Sequence, residues 1–243
     1  MRRYRDTTIE DLTAQRLREY CKISEKEITP PIPIDKIIEQ QFDLRIGWEE
    51  IPELKGEKIL GAIYYRQKTI ILNENHRKEL EEKPGLERFT LGHELGHWDL
   101  FCDKGKLDAL TLPGLGLENG QGKPALREGK LGLYEVIIKN AWTDDADFKK
   151  LMAIMNRKDG FFEAHAVNTY ASTMLLPIDL LKESCRGKRL DNWPELYRLA
   201  EEYGVTITAL KVRLSKLGHL HIGKNGSIRR GKETESRGQN RIL

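Results

Sequence analysis

Hydrophobic side chains in the first third of the chain follow a helical spacing and then a strand-like one. Around residues 7–22 the side chains of Ile9, Leu12, Leu17 and Tyr20 stand on one face at helix-like spacing, which predicts an amphipathic helix. Asp35 then stands where it can cap a short helix. Apolar runs typical of strands follow at 43–51, 58–66 and 69–73. Because only Gln67 and Lys68 separate the last two runs, we expect a tight hairpin there.

Helical spacing returns in the rest of the chain. A charged helix is predicted for 75–82. The next helix should carry two histidines on its apolar face, which comprises positions 86, 89, 93, 97 and 100. A further helix over 162–176 should end at the proline that follows it. The segment 193–217 predicts two helices around a turn at Gly204.

The composition is that of a globular protein. The chain has 243 residues, of which 39% are hydrophobic and 33% charged, enough apolar residues to build a core. No apolar run reaches the roughly 18 residues of a membrane helix, and the N-terminus lacks the apolar stretch of a secretory signal. The three cysteines stand far apart, which is typical of a reducing compartment. We therefore expect a cytoplasmic protein with no membrane partner.

Positive charge is concentrated at the C-terminal end. The formal net charge is +3, and residues 223–243 carry six basic and two acidic residues, a net of +4, which leaves −1 for residues 1–222. The body of the chain is therefore not a basic surface of the kind that binds nucleic acid in general. Most of the tail, which is rich in glycine and charge, is expected to be disordered.

The segment His93-Glu94-Leu95-Gly96-His97 is the strongest chemical signal in the chain. On a helix, histidines four positions apart project from one face about 6 Å apart along the axis, so both can reach one zinc ion. Glu94 then faces the open side of the metal, where it can act first as a general base and then as an acid. The pattern predicts a zinc-dependent hydrolytic site.

The alternative is a pair of core histidines with ordinary hydrogen bonds. With six histidines and 38 acidic residues in 243, this spacing arises by chance in about two chains in a hundred. Its position on the apolar face of a helix, next to a glutamate, favours the metal site.

Four segments resemble the ImmA/IrrE family of zinc-dependent metallopeptidases. They are Pro-Ile-Asp-x-Ile-Ile, the hairpin sequence ILGAIYYRQKTIILN, the helix sequence RFTLGHELGHW and the sequence YASTMLLP, at 33–38, 59–73, 88–98 and 170–177. This combination is far more specific than the five-residue histidine motif alone. The resemblance extends from Ile28 to Pro177 and more faintly through the C-terminal helices.

The resemblance implies an α+β, zincin-like fold with a small antiparallel sheet, whose active-site helix carries His93, Glu94 and His97. It implies Zn²⁺ as cofactor and the activity of a zinc endopeptidase, in which the metal polarises the scissile carbonyl and lowers the pKa of bound water. It also implies an intracellular protein substrate, because characterised relatives cut or inactivate a helix-turn-helix transcriptional repressor.

The third zinc ligand is expected on the helix over 162–176. The resemblance places it at Ala164, which cannot bind metal, so the flanking Glu163 and His165 are the candidates. They point about 200° apart on a helix, and only one of them can face the zinc. Glu163 continues into an apolar stripe suited to the core. We therefore predict Glu163 as the ligand, with His165 as the alternative.

The resemblance also divides the chain. We expect the metallopeptidase domain over 1–180, a helical module over 181–222 and the basic tail over 223–243. Glu163 stands 66 positions after His97, more than the family usually has. Residues 102–160 are therefore interpreted as an insertion beside the active site, which acts as a lid, a substrate-selecting element or a block on the cleft.

Two features near the motif have an ordinary and a functional interpretation. The strand KILGAIYY lines the cleft by analogy with zincins, with Gly61 and Ala62 open to a peptide backbone, or it is an ordinary hairpin strand. Tyr170 polarises the scissile carbonyl or, as its spacing favours, belongs to the core.

The two C-terminal helices have the pattern of a helix-turn-helix. The second helix begins with Thr206, Ile207, Thr208 and Ala209, none of them basic, so we expect a packing or partner-docking module in preference to a DNA-binding one. The second functional hypothesis is accordingly a non-catalytic regulator. Such a protein would bind zinc or no metal, and would sequester a repressor or contact DNA without cleaving anything.

Overall fold

The chain folds as a mixed α+β protein, in agreement with the predicted class. A computed structural model describes residues 4–53, 58–102, 162–222 and 227–230, so the predicted insertion at 102–160 lies, apart from Cys102, outside the described residues. The helices are α1 (Asp6–Ser24), α2 (Ile34–Lys36), α3 (Arg77–Glu82), α4 (Pro84–Phe101), α5 (Phe162–Leu175), α6 (Ile178–Cys185), α7 (Trp193–Glu202) and α8 (Ile207–Lys216). The strands are β1 (Arg45–Glu49), β2 (Gly61–Tyr64), β3 (Thr69–Asn73), β4 (Leu220–Ile222) and β5 (Ile228–Arg230).

The predicted hairpin is present, with a longer connection than expected. β2 and β3 pair antiparallel, and Tyr64 lies opposite Thr69, so four residues join the strands rather than two. The backbone N–H of Lys68 donates to the carbonyl oxygen of Tyr65 at 3.2 Å and closes this turn. Gln67 and Lys68 lack the Asn-Gly chemistry that a two-residue hairpin turn favours.

The three-stranded sheet is mixed rather than antiparallel. Its order is β1-β3-β2, and β1 runs parallel to β3 with Arg45 opposite Thr69. The expectation of a small antiparallel sheet is therefore wrong for β1. The hairpin leaves one edge of β3 open, and β1 occupies that edge, so the chain between β1 and β2 connects strands at opposite edges of the sheet.

The short helix α2 begins before the residue predicted to cap it. The carbonyl oxygen of Pro33 already accepts the N–H of Ile37 at 3.0 Å, which makes Pro33 the N-cap and Asp35 a residue of the first turn. The prediction that Asp35 caps this helix is wrong. Its carboxylate lies instead where the helix dipole favours negative charge. A π-helical turn (Ile37–Gln41) continues α2, and a 3₁₀ turn (Glu74–His76) precedes α3.

Helix α4 packs closely against α5. It begins with Pro84, a residue favoured in the first turn of a helix. A Cβ on Gly92 would lie 3.3 Å from the Cα of Ala171, and one on Gly96 would lie 3.2 Å from the Cβ of Tyr170. Small residues on successive turns of α4 therefore let the two helix backbones approach each other. This packing brings the first turn of α5 next to the histidines of α4.

The C-terminal helices share one hydrophobic core with the rest of the described chain, to which they contribute Leu196, Leu199, Leu210 and Leu214. None of the helices in the described ranges is long and apolar enough to cross a membrane.

The basic side chains of α8 contact the protein itself. Arg213 donates to the carbonyl oxygen of Leu176 at 3.0 Å and pairs with Glu10 of α1. Lys211 lies over the ring of Trp193, with its Nζ 4.8 Å from the ring centre. Helix α8 therefore does not hold these side chains outward in the manner of a DNA-reading helix.

A short antiparallel ladder joins β4 to β5. β5 lies in the tail, most of which is expected to be disordered. Ile228 packs against the hydrophobic core, which accounts for the order of this strand. The other residues of the tail, 223–226 and 231–243, lie outside the described residues.

Candidate metal centre

Helix α4 carries His93, Glu94 and His97 into the interior, where it packs on α5, β2 and β3. The exposed fractions of these three residues are 3%, 1% and 6%. Leu91 and Leu95 are also buried, so this part of the helix is enclosed on all sides. Burying ionisable side chains is costly unless they find polar partners or a metal ion. The contacts of the three side chains therefore indicate what the site can bind.

The two histidines face each other through their Nε2 atoms, which lie 3.2 Å apart. Two ligands of a tetrahedral zinc ion, each about 2.0–2.1 Å from the metal, stand about 3.3 Å apart. The spacing therefore suits a shared zinc ion. It also suits a hydrogen bond between the rings when one Nε2 carries a proton. Burial, together with the neighbouring His97, lowers the pKa of His93 well below its ordinary value, so His93 is held neutral.

Oxygen atoms lie at the Nδ1 atom of both histidines. The Oδ1 of Asn168 is 2.9 Å from Nδ1 of His93, and the Oε1 of Glu163 is 3.3 Å from Nδ1 of His97. These acceptors favour the form of each ring that carries its proton on Nδ1. The two Nε2 lone pairs then point toward each other, an arrangement that a bound cation stabilises.

The sequence pattern does not single out Asn168. Its neighbours Val167 and Thr169 are buried with it, in the middle of α5. An amide in such a position costs free energy unless it is hydrogen-bonded. The free-energy cost of burying this amide therefore indicates that Asn168 has a hydrogen-bond partner in the protein, but it does not identify that partner.

Glu94 is buried without a complete set of partners. Its Oε2 has no hydrogen-bond partner among the residues that the structure describes. Burial raises the pKa of Glu94 to about 7, against the opposing effect of His97. A carboxyl group with a pKa near neutrality can both accept and release a proton, as a general base and acid must.

Glu163 and His165 contact different elements. Glu163 reaches His97 of α4, whereas Nε2 of His165 lies 2.8 Å from Oδ1 of Asp6 in α1. The contact with His97 lowers the pKa of Glu163. Its carboxylate approaches the Nδ1 side of the ring, whereas His93 faces the Nε2 side.

Of the three predicted zinc ligands, His93 and His97 have the spacing that a shared zinc ion requires, and Glu163 does not face the same point. No group of three or more His, Cys, Asp or Glu side chains within the described ranges is arranged to hold a metal ion. Glu163 is close to the pair, but its carboxylate does not join the two Nε2 atoms. The ligand role of Glu163 stays a prediction. The Glu163 side chain would have to rotate to bring its carboxylate to the Nε2 side of His97. It is 41% exposed, so it has room to do so.

The strand β2 lies alongside α4 at the site. A Cβ on Gly61 would lie 2.8 Å from Cγ2 of Thr90 and 3.5 Å from Cγ of Glu94, so glycine permits this close packing. β3 pairs with one edge of β2, and no strand in the described ranges pairs with the other edge. β2 is therefore an edge strand of the described sheet, and its residues Gly61, Ala62 and Ile63 are buried.

Two tyrosines lie near the histidines and differ in their surroundings. Tyr170 is fully buried, and its hydroxyl donates to Asp99 at 2.9 Å, which in turn pairs with Arg16 of α1. This engagement assigns Tyr170 to the core, not to a role on a substrate. Tyr65 follows β2, and burial raises its pKa, with the charge of Glu94 adding to the effect.

Comparison with solved structures gives a remote likeness. No protein-family model matches the chain, and no curated protein matches it. Among solved structures, a Mycobacterium tuberculosis transcriptional regulator is similar, with a TM-score of 0.46 and 16% sequence identity. The match covers 93% of this chain and 56% of the regulator, so the chain spans little more than half of that protein.

Proposed function

We propose that the protein is a zinc-dependent metallopeptidase of the zincin-like ImmA/IrrE type. The observation that carries the proposal is the pair of facing Nε2 atoms of His93 and His97, 3.2 Å apart, with a buried Glu94 beside them. Buried histidines in any role need hydrogen-bond acceptors, but here both acceptors lie at Nδ1, which leaves the two Nε2 lone pairs facing each other. A metal site uses this arrangement.

The residues of the site have separate roles in this proposal. His93 and His97 hold the zinc, and Glu163 is the predicted third ligand. When bound, zinc supplies the Lewis acidity that peptide hydrolysis requires. Glu94 takes a proton from the attacking water at a carboxylate oxygen and delivers it to the leaving amine. Burial raises the pKa of Glu94 in the metal-free site, which favours proton uptake by this carboxylate.

The proposed substrate is an intracellular protein, and the resemblance favours a helix-turn-helix transcriptional repressor. β2 is an edge strand of the described sheet, which suits a peptide substrate once its buried residues are uncovered. An extended peptide can pair with such an edge through main-chain hydrogen bonds, and this pairing would place it near Glu94.

The second candidate is a regulator that binds a repressor without cleaving it. The observation that favours this candidate is the position of Glu163 on the Nδ1 side of His97, away from the two Nε2 atoms. Such a protein would use the buried histidines for stability or for metal-dependent folding only.

Substitution of the general base separates the two candidates. Zinc-loaded wild-type protein and Glu94→Gln are incubated with a lysate of the source cells, and new protein N-termini are identified by mass spectrometry. We expect cleavage by the wild type and none by Glu94→Gln, with zinc content equal in both. The matched control is Glu87→Gln, two turns earlier on α4, which should cleave normally. Repressor binding by both proteins with no new N-terminus would favour the regulator.

A further inference from the structure

Asn168 contacts His93 in the buried interior of the protein. The Oδ1 of Asn168 and the Nδ1 of His93 are 2.9 Å apart, and each residue is 3% exposed. The two side chains come from α5 and α4, whose backbones are held close by Gly92 against Ala171. Because buried polar groups are hydrogen-bonded, the Nδ1 proton of His93 has its acceptor within the protein.

We propose that Asn168 is a positioning residue of the metal centre. Its amide oxygen keeps the proton of His93 on Nδ1 and thereby directs the Nε2 lone pair toward the metal. The inference deepens the proposed function and rests on it. Asn168 touches neither the metal nor the substrate in this role, and it acts through the ring of His93.

The chemistry of the amide suits this position. Histidines that bind metals usually donate their other N–H to an oxygen acceptor, and loss of that acceptor weakens metal binding by about 10–100-fold. A carboxylate would serve as acceptor too, but it would add a second buried negative charge close to Glu94. The neutral amide oxygen avoids that cost.

The opposite orientation of the Asn168 amide would place the proton of His93 on the other ring nitrogen. If the NH₂ group of Asn168 faced Nδ1, it would donate to an unprotonated Nδ1 and place the proton of His93 on Nε2. That form cannot bind zinc through Nε2. A residue that only accepts hydrogen bonds therefore distinguishes the two orientations.

Three variants test the role. Ionised Asn168→Asp keeps an acceptor and removes the donor, whereas Asn168→Leu removes both in a side chain with the same number of heavy atoms. Thr173→Val is the matched control, because Thr173 is buried on the same helix and its hydroxyl donates only to backbone oxygens of α5. Asn168→Ala replaces the leucine variant if the latter does not fold.

Zinc affinity, measured by competition with a chelator, gives the first result. We expect Asn168→Leu to weaken binding by about 10–100-fold. Asn168→Asp should bind zinc more tightly than Asn168→Leu because it keeps an acceptor, and Thr173→Val should bind zinc like the wild type. Wild-type affinity in Asn168→Leu, or an Asn168→Asp variant as weak as Asn168→Leu, would overturn the proposal.

The ring of His93 in zinc-free protein gives a second result that does not depend on metal binding. Its two ¹⁵N chemical shifts report which nitrogen carries the proton. We expect the proton on Nδ1 in the wild type and in Asn168→Asp, and its loss from that position in Asn168→Leu. If the wild type binds no zinc, the proposed function fails, and these shifts still decide the role of Asn168. An unchanged proton position in Asn168→Leu would show that Asn168 does not position His93.

Discussion

Gly85, the second residue of α4, lies directly against the backbone of Val205. A Cβ at position 85 would come within 2.7 Å of the carbonyl carbon of Val205 and of the backbone nitrogen of Thr206. Rotation of a side chain cannot relieve a contact with backbone atoms. The helix that carries His93 and His97 is therefore anchored, about two turns upstream, by the turn between α7 and α8.

We expect Gly85→Ala to destabilise the protein. Alanine in place of glycine stabilises a helix by about 1 kcal/mol, but overpacking against a fixed backbone costs roughly 1–3 kcal/mol or more. The net effect should be a lower midpoint of urea unfolding. The control is Gly47→Ala in β1, where the new Cβ would lie 3.4 Å from Cδ1 of Ile71, an ordinary contact. A midpoint that rises in Gly85→Ala would show that the two backbones can separate without cost.

The facing histidines predict a single metal site. Purified protein should bind about one zinc per chain, and His93→Ala and His97→Ala should each lose it, because the remaining imidazole cannot hold the ion alone. The zinc content of each protein after dialysis, measured by elemental mass spectrometry, checks this expectation. His76→Ala is the control, since His76 pairs with Glu53 elsewhere on the chain. Stoichiometric zinc in the double variant would rule out this site.

The two candidates for the third ligand can be ranked by substitution. Glu163→Ala should weaken zinc binding far more than His165→Ala, because Glu163 contacts His97 whereas His165 contacts Asp6. Glu163→Gln sharpens the test, since glutamine can still accept from Nδ1 of His97 but is a poor zinc ligand. If Glu163 binds the metal, the glutamine variant should be as weak as the alanine variant. Full affinity in Glu163→Gln would make Glu163 a hydrogen-bond partner of His97 only.

Local periodicity in the sequence was sufficient for most elements of the fold. The helix around residues 7–22 buries one face at a helical period, whereas the hairpin strands and the histidine-bearing helix are buried almost throughout, and the structure contains all of them. The place of β1 in the sheet and the first residue of α2 were not predictable in this way. They depend on which edge of β3 is open and on the carbonyl oxygen of Pro33.

Contacts between distant segments were also not predictable from local periodicity. Asn168 and His93 stand 75 positions apart, and Arg213 and Glu10 stand 203 positions apart. Nothing in the local pattern around either residue names its partner, because the pairing follows from how whole helices pack. The histidine motif could be recognised from the sequence because its residues lie close together on one helix. Asn168 and Glu163, which contact the two histidines, come from another helix and could not be recognised in this way.

The carboxylate of Asp6 joins three helices. Its Oδ1 is 2.8 Å from Nε2 of His165 on α5, and its Oδ2 is 3.2 Å from Nζ of Lys216 on α8. The hydrogen bond with His165 holds the pKa of Asp6 well below its ordinary value, with the charge of Lys216 assisting and partial burial opposing. Asp6 therefore stays ionised in the folded protein at pH values where it takes up a proton in the unfolded chain.

This difference predicts a loss of stability in acid. Because the pKa of Asp6 is lowered on folding, its contribution is present above the unfolded pKa of about 3.9 and is lost as the pH falls below that value. The midpoint of urea unfolding, measured from pH 6 to pH 2, should fall less steeply below pH 4 in Asp6→Asn than in the wild type. Asp43→Asn is the matched control, because the Asp43 side chain is 89% exposed in its pair with Lys68, and it should keep the wild-type slope. Equal slopes in Asp6→Asn and the wild type would mean that the three-helix junction does not depend on this charge.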